Sequence, residues 1–414
     1  MTEHNSANDR FDEFKFNYAE AYLKQGLSCY HQQKYSQALK EFGKAIEIDP
    51  NYAEAHYSRG VCYLRQGKND LALFDLSCAI EIDPNYTEAY NNRGSIYHQQ
   101  KKYSLALADY NKAIEINPHY AEAYHNRSFM YEQQGEYDLA LVGYNKTIEI
   151  DPNCAEAFHN RSFIYKKQNK YNLAIADCSK AIEINSNHAR AYYSRANIYN
   201  QQGRYDLALA DYNRAIAFNP NYSFAYSSRA NIYKQQGKYD SALANYNRAI
   251  ALNPNHDYAY NSRGIYYREQ GQDDLAIADY SKAIEINPDN SDAYYNRGIC
   301  YKKQGKYNLA IADYDKAIEI NSNDALAYFN RGICYKKQGK ADLALADFSR
   351  AIKINPDCAN AYHNRGFVYH EQKENDLAKI DLEKFKELFS RQGDMSSMDK
   401  INDILDHLYR ELEY

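Results

Sequence analysis

Small apolar, large apolar and polar positions follow one another along this chain at helical spacing, and the whole pattern recurs every 34 residues. With phase 1 set at Ala19, phase 20 is alanine in every repeat, from Ala38 and Ala72 to Ala344 and Ala378. Phase 8 is always small, as at Gly26, Ser128, Ala196 and Gly298, and phase 27 is alanine except at Thr147 and Phe385. Phases 20, 24, 27 and 28 place apolar residues at i, i+4, i+7 and i+8, one face of an amphipathic helix. Large residues at phases 4, 11 and 24, such as Tyr90, Tyr97 and Tyr110, stand beside the small ones and fill the space their close approach leaves. Glycine or asparagine near phase 15, as at Gly67, Gly135, Asn169 and Gly203, suits a helix C-terminal cap. Each repeat therefore predicts a helix A, a turn, a helix B and a break.

The break is written in proline. All eight prolines, from Pro50 to Pro356, fall at phase 32. Proline removes a backbone donor and holds the preceding residue out of helical geometry. Eleven units follow without insertion: 19–52, 53–86, 87–120, 121–154, 155–188, 189–222, 223–256, 257–290, 291–324, 325–358 and 359–392. Units five and nine carry Ser186 and Ser322 in place of proline, which predicts looser joints there.

The ends differ from the array. Residues 1–18 read as a polar tail leading into the first helix, with 1–8 unstructured and a helix start near Asp9. Residues 393–414 carry Met398, Ile401, Leu405, Leu408 and Leu412 on one stripe. That stripe predicts a C-terminal capping helix over unit eleven, with a dimerisation helix as the other reading.

The aromatic, glycine, tyrosine, alanine and proline columns together resemble the tetratricopeptide repeat (TPR) family over residues 19 to about 390. The resemblance implies an all-α fold, a right-handed superhelical solenoid of antiparallel helix pairs whose A helices line a concave groove. One departure is systematic. The leucine usual at phase 7 is arginine in ten units, from Arg59 to Arg365. Phase 23 carries Asp75, Asp109, Asp177, Asp211, Asp279, Asp313, Asp347 and Asp381, with Glu41 in unit one. An Arg–carboxylate ladder between helices is one reading and a solvated charge pattern the other.

Composition narrows the function. The net charge of −5 gives no overall basic field for nucleic acid or anionic lipid, and no apolar run approaches a membrane span. Eight cysteines without a CxxC pair fit small packing residues in a reducing compartment, so the expected location is cytoplasmic. Phosphate loops, nucleophile elbows, HExxH and GxGxxG are absent, so no enzyme activity and no cofactor are expected. His125 and His159 share phase 5 in neighbouring repeats, too few ligands for a metal.

Partner-binding phases, by the resemblance, are 2, 5, 6, 9, 12 and 13. Phase 6 carries Asn92, Asn126 and Asn160, then Asn296, Asn330 and Asn364. An amide both donates and accepts, so such a row can hold an extended peptide backbone; local bonding is the alternative. The row is similar to the asparagine row in the TPR superhelix of O-GlcNAc transferase, whose catalytic domain has no counterpart here. Units eight to ten add Ile265, Ile299 and Ile333, Tyr295 and Phe329, and Arg268, Lys302, Lys303, Lys336 and Lys337. Units four and five add His125, His159, Phe129, Phe163, Lys166 and Lys167. Apolar pockets beside cations suit a peptide with hydrophobic anchors and acidic groups. No unit pairs lysine at phase 5 with asparagine at phase 9, the clamp that TPR adaptors use for chaperone C-terminal tails. The leading expectation is a protein-interaction scaffold. The alternatives are a substrate-recruiting subunit of a separate enzyme, such as a glycosyltransferase, and an RNA-binding array.

Overall fold

A computed structural model describes residues 3–390. Twenty-two helices run through the described residues with no strand among them, two per repeat. In unit nine, helix A is Ser291–Lys303 and helix B Tyr307–Ile320, and the other units repeat these bounds in phase. The chain divides into two compact bodies, Met1–Arg204 and Tyr205–Tyr414. The division falls inside unit six, between its helices Ala189–Gln201 and Tyr205–Phe218. Within each body the same contacts recur from repeat to repeat.

The constant phases are the core. Every phase-20 alanine, Ala38 to Ala378, is fully buried, and so are Tyr144, Tyr246 and Tyr314 at phase 24. The small phase 8 is a requirement of this packing. A Cβ on Gly298 would lie 2.8 Å from the Tyr314 ring, and one on Gly332 equally close to Phe348. Phase 15 ends helix A in a left-handed conformation in both bodies, with φ of 71° at Gly67 and 73° at Gly305. Gln33, Lys101, Asn169 and Lys373 adopt the same conformation without being glycine.

Two expectations change. The joints at Ser186 and Ser322 keep the backbone of the proline joints. The residues closing the preceding helices, Asn185 and Asn321, take φ of −127° and −128°, beside −122° at Asp83, which precedes Pro84. The phase-31 side chain supplies the reason. Asn185 Oδ1 accepts the Asn187 N–H at 3.1 Å and Asn321 Oδ1 the Asn323 N–H at 3.2 Å, the turn that Asp83 makes with Asn85. At the N-terminus the first helix is Glu3–His31, so it begins before Asp9 and takes in most of the segment read as unstructured. The expected capping helix at 393–414 lies outside the described residues.

The arginine column forms a ladder. Arg297 donates Nε to Asp313 Oδ2 at 2.8 Å and Nη2 to Oδ1 at 2.7 Å, and its Nη1 reaches Ser281 Oγ of the preceding unit at 2.9 Å. Arg93, Arg161, Arg263, Arg331 and Arg365 repeat this grip, each fork on its own helix B and the third nitrogen on the helix B before it. Tyrosines at phases 4 and 11 flank the guanidinium, with Arg297 Cζ 5.7 Å from the Tyr294 ring and 5.9 Å from the Tyr301 ring. Asp313 is 5 % exposed, so the pair is no solvated surface bridge.

Candidate binding face

The variable phases lie along helix A, where they join one repeat to the next. Phase 6 is the clearest case. Asn92 Nδ2 donates to Tyr57 Oη at 3.2 Å, Asn126 to Asn91 Oδ1 at 3.0 Å, Asn296 to Asn261 Oδ1 at 3.4 Å and Asn330 to Tyr295 Oη at 3.1 Å. Asn160 Nδ2 lies 3.3 Å from His125 Nε2. In each case the partner is the phase-5 residue of the preceding unit. Asn364 instead bonds the backbone oxygen of Asn360. Asn160, Asn296 and Asn330 are buried. The row is thus a set of inter-repeat rungs, and its amides have less capacity left for a peptide backbone than free ones.

Phase 5 is anchored from below. Tyr295 packs on Tyr314, Phe329 on Phe348 and His125 on Tyr144, with ring centroids 6.0, 5.9 and 5.7 Å apart. Phe129 and Phe163 at phase 9 are exposed, whereas Ile265, Ile299 and Ile333 are half-buried.

Phase 12 carries the charge. Arg268, Lys302 and Lys336 are half-buried, one to each of units eight, nine and ten. Arg268 Nη1 donates to Asn296 Oδ1 at 2.8 Å, and Lys302 Nζ to Asn330 Oδ1 at 2.5 Å. Each cation therefore reaches forward to the phase-6 amide of the next repeat. Among the described residues neither meets a carboxylate within ion-pair distance. Burial pushes the Lys302 amine below its ordinary pKa. Lys336 lies over the Phe367 ring at 5.4 Å, with Glu371 3.7 Å away. Lys303 at phase 13 is tied to Asp273 at 2.8 Å, and Lys337 is exposed. In the other body, burial and the neighbouring Lys167 charge lower the pKa of Lys166.

The sequence reading passed over one column. Phase 14 is glutamine in every unit, from Gln32 to Gln372. Gln304 Nε2 reaches back to Asp274 Oδ1 at 3.0 Å and Gln338 Nε2 to Asn308 Oδ1 at 2.7 Å, so these amides fasten the end of helix A to the preceding helix B. Its constancy was the available signal. No helix among the described residues is long and apolar enough to cross a membrane, and all eight cysteines are free.

Comparison with known proteins agrees with this architecture. A family profile described as TPR repeat matches residues 26–67 and 266–305. Profiles described as tetratricopeptide repeat match 53–86, 87–120, 189–222, 223–256, 291–324 and 325–358, then 109–142 and 245–278, then 155–188 and 359–390. No curated protein sequence is a match. Among solved structures, a tetratricopeptide repeat protein from Parabacteroides merdae is 24 % identical with a TM-score of 0.49, covering 60 % of this chain and 98 % of its own. A monomeric mutant of IFIT1 with Gppp-AAAA is 16 % identical with a TM-score of 0.51, covering 81 % of this chain and 90 % of its own. YrrB, described as a TPR protein with an unusual peptide-binding site, is 26 % identical with a TM-score of 0.38, covering 45 % of this chain and 97 % of its own.

Proposed function

Because the chain belongs to the tetratricopeptide repeat family, we propose that it is a non-enzymatic scaffold that binds an extended segment of a partner protein on the helix-A rows of units eight to ten. One observation carries this. Arg268 and Lys302 are half-buried cations held by amide oxygens alone among the described residues, in register and beside Ile265, Ile299 and Ile333. A cation withdrawn from water without a counter-charge favours an anionic ligand. A repeating cation beside a repeating isoleucine favours a segment in which acidic and apolar side chains recur. Tyr295 and Phe329 border the same rows.

The phase-6 asparagines act mainly as the frame of this site, because their amides join the repeats and hold the cations. The patch of Phe129, Phe163, Lys166 and Lys167 in the other body offers a second, separate contact of the same chemistry.

A fluorescein-labelled peptide alternating leucine and aspartate tests the reading by anisotropy. Saturable binding that Lys302→Ala and Arg268→Ala weaken, and that is lost when asparagine replaces aspartate in the peptide, supports it. Equal affinity for the two peptides would remove the acidic requirement. A steep salt-dependent shift with single-stranded RNA, unmatched by the peptide, would favour the nucleic-acid alternative.

A further inference from the structure

Glu156 and His159 stand on helix A of unit five, Ala155–Lys167, and His188 is the N-cap residue of the next helix A, Ala189–Gln201. His188 is distant in sequence from the other two, yet one ligand atom from each of the three lies within 4.8 Å of the others. The two imidazole centroids are 5.1 Å apart, and His188 Nε2 is 3.5 Å from Glu156 Oε1. His188 is 6 % exposed. Its Nε2 and the Nδ1 of His159 are buried and make no hydrogen bond.

Buried polar atoms are nearly always satisfied, so two adjacent imidazole nitrogens, one without a hydrogen bond and the other with only a 3.5 Å contact to Glu156, call for an explanation. His159 already has the outer bond that orients a ligating histidine, since its Nε2 lies 3.0 Å from Ser194 Oγ. The neutral imidazole is the form that ligates, and the His159 Nδ1 that would do so makes no hydrogen bond. Two imidazoles and a carboxylate are a donor set taken by zinc and similar divalent transition metals. We infer that Glu156, His159 and His188 form a divalent transition-metal site of zinc type that clips unit five to the first helix of unit six.

Two contacts oppose the metal and set the sign of the test. His188 Nδ1 accepts the Ala191 N–H at 3.3 Å, so a metal on Nε2 moves the ring proton to Nδ1 and releases that long cap bond. Arg190 Nη2 donates to both Glu156 oxygens at 2.8 Å, so it competes for the carboxylate and adds a like charge. The cap bond and the Arg190 bonds to Glu156 are what metal binding gives up or shares against three ligand bonds. The site closes the joint that has Ser186 instead of proline, where an added clip supplements the turn at Asn185.

The test is a titration of the full-length reduced protein, stripped by chelator, with Co²⁺ and Zn²⁺. The expected result is one equivalent per chain at micromolar affinity or tighter. Visible cobalt bands should appear without the near-ultraviolet thiolate band that cysteine ligation would give. His159→Ala, His188→Ala and the near-isosteric Glu156→Gln should each weaken binding at least about tenfold. Arg190→Gln should tighten it several-fold, and His119→Ala, at an exposed position, should leave it unchanged. Circular dichroism identifies any variant that fails to fold. Binding that survives the His159→Ala/His188→Ala pair, or an affinity weaker than millimolar for the unaltered chain, would overturn the assignment.

Discussion

Arg297 and Asp313 form a two-pronged ion pair, 2.8 and 2.7 Å long, in which the carboxylate is buried and the guanidinium lies between two tyrosines. The hydrogen bond to Asp313 raises the Arg297 pKa, and burial pushes the Asp313 carboxyl up while Arg297 pulls it back. Neither charge can be removed without stranding the other. Arg297→Ala or Asp313→Ala alone is expected to cost about 3 kcal/mol. The double variant should cost clearly less than the sum, by about 1 kcal/mol or more. Chemical denaturation of the four proteins measures this, and additive losses would show that the two side chains act separately.

Unit four shows the ladder failing for a packing reason. Phase 23 there is Gly143, and a Cβ on it would collide with the Ser128 hydroxyl. Arg127 consequently has no carboxylate fork, and its Nε is buried without a partner. Gly143→Asp alone should destabilise the chain. Gly143→Asp with Ser128→Gly recreates the arrangement of unit nine and should be more stable than either single variant. Thermal melts of the three variants check the order.

Phase 15 needs a left-handed backbone whatever residue occupies it. Lys101 sits at φ 58° and Gly305 at φ 73°. Lys101→Gly should therefore stabilise the chain by up to about 1 kcal/mol, and Gly305→Ala should destabilise it by a similar amount. Denaturation midpoints moving the other way would contradict the assignment of strain to this position.

His256 makes stability depend on pH. It is 1 % exposed, with Nε2 3.3 Å from Ser227 Oγ and its ring 4.2 Å from Phe224. Burial holds its pKa below the ordinary histidine value. The unfolded chain therefore binds this proton more readily than the folded one. The stability that neutral His256 supports is complete above the unfolded pKa of about 6.5 and falls as pH drops toward the folded value. Melting temperatures should decline from pH 7 to pH 5, and His256→Asn should flatten the decline. An equal decline in the variant would place the effect elsewhere.

Much of this was legible in the chain. Ala38 to Ala378 and the proline column reveal helix pairs because packing tolerates only small residues at one point and a break at another. Arg297 and Asp313 could be matched as candidate partners from their columns, but only the burial of Asp313 in the fold decides for a ladder over a solvated charge pattern. Ser186 misled, since the Asn185 side chain already makes the turn that proline would only reinforce. The asparagine row was visible, but its partners are the phase-5 residues one repeat back, and a repeat read by itself does not show them. His188 and Glu156 escaped for the same reason: the fold, not their spacing, makes them neighbours.

A partner's extended acidic segment lying on units eight to ten would pass beside Ile299 and Lys302. A photo-crosslinking residue placed at Ile299 reports this placement when the protein is incubated with the leucine–aspartate peptide and adducts are mapped by mass spectrometry. Peptide adducts are expected at Ile299, reduced by Lys302→Ala, and none from a probe at exposed Leu309 on helix B of the same unit. Adducts at Leu309 alone, or at both sites without regard to Lys302, would contradict this placement.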